Sequence, residues 1–154
     1  LLNPEALALR LVDLAGKHGL VRQRWAVAAW DRPSFAGDQR AVKTARFWTD
    51  IAGDHKADAA DHVLREKIHY VLREHPEVRV FVIATGDADF SAVVDTLLRQ
   101  GKRVILWSAR DALAHSYKRF LGEGGLTLEW LDDLVFGEDA LTSGTWRVIK
   151  FDPS

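Results

Sequence analysis

Two aspartates separated by one residue, Asp87 and Asp89, follow Gly86 directly after an apolar run over residues 78–84. That run, rich in β-branched residues, is too continuous for a half-exposed strand and predicts a buried strand of a parallel sheet. In open α/β sheets the ligand crevice lies beyond the carboxyl ends of the strands, so this pair stands where chemistry is done. Asp58 and Asp61 stand three apart in the first turns of the longest helical pattern, on one helix face and near its positive end. A βαβ-like arrangement brings all four acids to one edge of the sheet. Carboxylates gathered this way repel unless a cation joins them. Hard divalent ions take oxygen ligands, Mg²⁺ through one or two carboxylates together with waters and a substrate phosphate. The chemistry implied is metal-assisted phosphodiester hydrolysis. Each aspartate alone has an ordinary alternative as a helix N-cap, Asp87 or Asp89 for the helix that begins near Ser91. Two acids so close are more than one cap needs.

The elements that must position these acids are legible from periodicity. Asn3 and Pro4 open a helix over residues 4–15. A short buried strand follows over 24–30, ended by Asp31, Arg32 and Pro33. Residues 34–39 read as a loop, and 40–48 suit either a short helix or an irregular strand-like segment. Residues 54–75 form the longest helix, with Ala57, Ala60, Val63, Leu64, Ile68, Val71 and Leu72 at helical spacing before Pro76. After the strand at 78–84 come a helix over 91–100 stopped by Gly101 and a strand over 103–107. A short helix over 113–121, a strand or turn over 127–131 and an alternating strand over 145–151 complete the chain. This order predicts a mainly parallel sheet wrapped by helices. Residues 1–136 form the expected domain, and 137–154 a C-terminal extension with a strand packed on it.

The 154 residues suit one domain with a core that needs no staples. Cysteine is absent, which excludes disulfides, thiolate metal sites and thiol nucleophiles, and fits a cytoplasmic location. No apolar run reaches the length of a membrane span. The net charge of −1, from 21 basic and 22 acidic residues, announces no nucleic-acid partner in bulk and leaves local clustering to do so.

The residues from Ala84 through Thr85, Gly86, Asp87, Ala88, Asp89, Phe90 and Ser91 to Val94, followed by Gly101, Lys102, Arg103 and Val104, resemble a family signature. It is that of NYN domains, the PIN-like nuclease group that includes LabA-type proteins. Lys56, Ala57, Asp58, Ala59, Ala60, Asp61 and Leu64 are similar to the start of the family's helix, with Asp61 the better match and Asp58 the alternative. The resemblance spans residues 4–135. It implies a three-layer α/β/α, PIN-like and Rossmann-like fold, dependence on Mg²⁺ or Mn²⁺, and cleavage of RNA or, less often, single-stranded DNA. Under it Asp61, Asp87 and Asp89 are the catalytic metal-site acids and Asp58 a further metal ligand. Thr85 takes the small-hydroxyl position before the glycine, Ser91 positions a ligand or caps its helix, and Lys56 and Arg110 contact substrate.

The family pattern also has a first strand that ends in an aspartate and precedes a helix like that at 4–15. That strand is expected to be absent from this sequence, with Asp31 a possible substitute for its acid. Two readings follow: a metal-dependent ribonuclease, or a catalytically incomplete NYN module that binds nucleic acid or protein. A phosphotransfer domain fits less well, because it wants its paired acids on the opening strand. Arg65, Lys67, Arg99, Lys102 and Arg103 would hold a nucleic-acid backbone if they converged on the acids, and Phe35 and Trp48 are the expected base-stacking residues. Trp107 reads as core. The sequence sets no oligomeric state, and a homodimer is compatible with it.

Overall fold

The computed structural model describes residues 4–28, 33, 36–51, 59–84, 90–108, 117, 120, 125–130 and 146–152, with side chains described for all but 4, 28, 51 and 146–152. Helix α1 (Pro4–Gly16) starts on proline, whose missing N–H is no loss in a first turn. Its Leu7, Ala8, Leu11, Leu14 and Ala15 are buried, the one stripe that helical spacing brings together. Strand β1 (Gln23–Ala28), helix α2 (Ala36–Thr44) and strand β2 (Trp48–Ile51) follow. Then come α3 (Ala59–Glu74), β3 (Val80–Ala84), α4 (Ser91–Arg99), β4 (Arg103–Ser108), β5 (Leu126–Trp130) and β6 (Trp146–Asp152).

The segment at 40–48 is helix to Thr44 and reaches a strand only at Trp48, and its helix begins at Ala36, within residues expected to be a loop. Helix α2 closes in a Schellman motif, with the Arg46 N–H donating to Lys43 O at 2.9 Å and the Phe47 N–H to Val42 O at 2.9 Å. Arg46 adopts the left-handed conformation such an ending requires, at φ 65°. Helix α4 ends the same way on Gly101, at φ 74°, with the Lys102 N–H reaching Leu97 O at 3.0 Å. Glycine at 101 announces its helix end in the sequence, and arginine at 46 conceals one. Strand β2 was not foreseen, since four residues carry too little periodicity to register.

The sheet has six strands in the order β2-β1-β6-β3-β4-β5. The β1/β2, β3/β4 and β4/β5 pairings are parallel, and β6 runs antiparallel to both β1 and β3. Strands β1 to β5 therefore share one direction. Successive side chains of a strand point to opposite faces, and both faces are covered. Val80, Val82, Ala84, Ile105 and Trp107 join the core under α1 and α2. Phe81, Ile83, Val104 and Leu106 join the core under α3 and α4. Burial on both sides is why β3 and β4 read as unbroken apolar runs, and it makes Trp107 a core residue.

Candidate active site

Chain continuity fixes which end of the sheet is polar. Helix α3 carries the chain from the carboxyl end of β2 back to the start of β3, and α4 does the same between β3 and β4, so both helices begin at the carboxyl edge. Among the described residues the buried polar or charged ones are Asp61, at 7% exposure, Ser91, at 9%, and Ser108, at 2%. Asp61 lies in the first turn of α3, Ser91 is the first residue of α4, and Ser108 is the last of β4. All three belong to the carboxyl edge. Ser108 follows Val104 and Leu106 in the alternation of β4, which puts it on the α3/α4 face. Polar groups are costly to bury unless hydrogen bonds or a counter-charge compensate them. Among the described residues, the buried polar side chains are thus confined to this edge, which makes it the candidate site.

The residue that follows the second aspartate of the motif is held in place. Phe90 is fully buried, and its backbone N–H donates to the Tyr117 hydroxyl oxygen at 2.5 Å. The Arg65 guanidinium lies over its ring, 4.8 Å from the centroid, which ties the second turn of α3 to the entrance of α4. Phe90 itself is the N-cap of α4, with no side-chain cap hydrogen bond. The alternative role for Asp87 or Asp89, as the N-cap residue of this helix, is therefore taken by another residue. Ser91 stands one position inside the helix and is not its N-cap either.

Of the residues singled out in the sequence, Asp61 and Ser91 are brought to the same edge, while Asp58, Asp87, Asp89, Thr85, Lys56 and Arg110 lie outside the described residues, as do Asp31 and Phe35. Among the described residues no three His, Asp or Glu side chains gather as a metal site. Asp61 fits one as a buried oxygen donor of the kind hard divalent ions take.

Among the described residues the cations that could hold a nucleic-acid backbone do not converge on Asp61. Lys102 donates from Nζ to Pro76 O at 2.8 Å, beside the start of β3, so Lys102, Arg103 and the end of α4 at Arg99 lie at the opposite edge from Asp61. Crossover helices return the chain to the amino ends of the strands, and these cations go with them. Arg65 packs on Phe90, and Lys67 pairs with Asp50 at 2.7 Å. Tyr117 holds the backbone after the motif, a contact that sequence reasoning passed over. Its hydrogen bond spans 27 positions and leaves no periodic trace.

A mainly parallel sheet between two helical layers, with a buried acid and two serines at its carboxyl edge, defines an α/β/α protein with its candidate site beyond the strand ends. The chain belongs to the NYN domain family, whose model matches residues 3–121. NYN domains are in general nuclease-type domains of PIN-like fold that act on nucleic acid. The strands β5 and β6 lie beyond the matched residues. No curated protein and no solved structure gave a match. Among the described residues no helix is long and apolar enough to cross a membrane.

Proposed function

We propose that this protein is a metal-dependent ribonuclease that hydrolyses RNA phosphodiesters, with Asp61, Asp87 and Asp89 as its catalytic acids and Mg²⁺ or Mn²⁺ as its cofactor. The observation that carries this reading is the gathering of Asp61, Ser91 and Ser108 at the carboxyl edge, where the paired-aspartate motif leaves β3. Asp58 completes the acid set, and Thr85, Ser91, Lys56 and Arg110 hold substrate. A divalent ion held by these acids would supply an activated water and offset charge on the leaving oxygen. Asp61, shielded from solvent, attracts that cation more strongly than an exposed carboxylate would. Tyr117, by holding the Phe90 N–H, fixes the chain directly after Asp89. The start of α4 at the same edge suits a substrate phosphate, since helix N-termini favour anions. Residues 1–136 are assigned to the catalytic unit and 137–154 to an extension within the same domain, acting in the cytoplasm.

A specific observation favours the second reading, a binding module without turnover. The place between β1 and β3 is filled by β6, which runs the other way, so Trp146 pairs with Ala28 near the carboxyl edge and Asp152 pairs with Val80 at the far one. Strand β6 brings no acid to the site.

Labelled RNA and single-stranded DNA incubated with Mg²⁺, Mn²⁺ or EDTA separate the two. The nuclease reading expects cleavage that EDTA abolishes and that Asp61→Asn or Asp87→Asn lowers about a hundredfold or more, since a metal's charge stabilisation amounts to several kcal/mol. Cleavage indifferent to Asp87→Asn would remove the roles assigned here. Tight RNA binding with no turnover by the unaltered protein would establish the binding module.

A further inference from the structure

We propose that Trp48 and Trp25 form a stacking platform for the bases of single-stranded RNA, on the α3 face of the β2 edge. This names the form of substrate for the site above and rests on that reading for the direction in which the strand leaves the acids.

Trp48 is 65% exposed, although it opens a strand of the central sheet. Its partner in register is Trp25 on β1, with ring centroids 6.2 Å apart and planes inclined by 31°. Neighbours in a parallel ladder present their side chains to the same face, and Trp25 packs against the core under α3 and α4. Trp25 is held from three sides. That core lies beneath it, its indole N–H reaches Gln23 Oε1 at 3.3 Å, and Lys67 Nζ stands 4.9 Å from its ring centroid. Lys67 is itself anchored by Asp50, the next residue along β2 on the face that carries Trp48. The result is one braced indole beside one open indole. Bases stack on exposed aromatics in a sequence-tolerant way, because every base has a π-face.

Charge favours a nucleic acid over an apolar protein surface. The cation next to the platform in sequence is Arg46, which is exposed, while Arg40 and Lys43 belong to α2 on the other face of the sheet. Arg46 holds the left-handed position that glycine would take at less cost, two residues before Trp48. The Asp50 carboxylate is neutralised by Lys67 and does not oppose a phosphate. Position favours it too. Lys67 lies six residues along α3 from Asp61, about 9 Å by helical rise, a distance that a short run of extended single strand covers. Among the described residues β2 is the edge strand, paired with β1 alone.

The test is fluorescence anisotropy of the full chain with a labelled oligouridylate of about ten nucleotides and a duplex RNA of equal length, both in EDTA so that metal-dependent turnover is stopped. Preference for the single strand is expected, with Trp48→Ala weakening it about tenfold and Trp48→Phe restoring most of the loss. Circular dichroism of both variants checks the fold. Equal affinity of Trp48→Ala and the unaltered chain, no binding by the unaltered chain, or equal binding of duplex would each overturn the platform. So would a dimer-to-monomer shift on sedimenting Trp48→Ala with RNA affinity unchanged, which would make this face a contact with a second copy. The same oligonucleotide with Mn²⁺ reads the catalytic proposal separately: Trp48-dependent binding without cleavage keeps the platform and removes the nuclease. Cleavage that Trp48→Ala leaves unchanged, at unchanged affinity, does the reverse.

Discussion

At the scale of single residues, the candidate site is built from groups of two kinds, and only one kind shows itself in sequence. Asp61 could be singled out because its chemistry is its identity, an acid one turn into a helix ahead of a strand that ends in two more, and the structure finds it buried at the carboxyl edge. Tyr117 was not, since a tyrosine in a helical pattern is ordinary until its hydroxyl is seen to meet a distant backbone. That hydroxyl accepts from the Phe90 N–H in a fully buried setting. Tyr117→Phe keeps the ring and orphans the donor, at a cost of about 1–3 kcal/mol. Thermal unfolding is expected to show a Tm lower by several degrees, and RNA cleavage to fall further than this loss explains, because the residue before Phe90 is Asp89. A Tm equal to that of the unaltered protein would mean that the Phe90 N–H finds another acceptor.

At the scale of elements, helix endings show how the same geometry can be announced or hidden. Both α2 and α4 close with a left-handed residue and the same pair of backbone hydrogen bonds, yet one uses arginine and the other glycine. An L-residue other than glycine pays about 1–2 kcal/mol for that conformation. Arg46→Gly is therefore expected to raise stability by about 1 kcal/mol, read as a higher denaturant midpoint at unchanged slope. A lower midpoint would indicate that the arginine side chain contributes more than its backbone costs. Strand β2 sits directly after this hidden ending, which is why residues 40–48 gave two readings. The apolar residues Ala41, Val42, Ala45 and Phe47 serve the α1/α2 side, whereas Trp48 turns to the other face. No single period fits a segment that changes element and face within nine residues.

At the scale of the whole molecule, β6 closes the sheet. It supplies six register pairs to β1 and five to β3, so a chain ending at Thr142 would leave two facing strand edges without partners. Buried backbone groups without partners are costly, and truncation is expected to abolish cooperative unfolding and expose apolar surface to a fluorescent dye. A truncated chain with a sharp transition and unchanged Tm would show that β1 and β3 do not need it. The sequence by itself determined the strands β3 and β4, the helices α1, α3 and α4, and the acid motif with its family, because each of these is a local pattern of apolar spacing or a contiguous string of chemistry. Only the tertiary structure decided that β6 enters the middle of the sheet antiparallel, that Asp61, Ser91 and Ser108 share one edge while Arg99, Lys102 and Arg103 go to the other, and that Trp48 stays open beside Trp25. Those are pairings between residues far apart in the chain, and no local period records which strand will lie beside which.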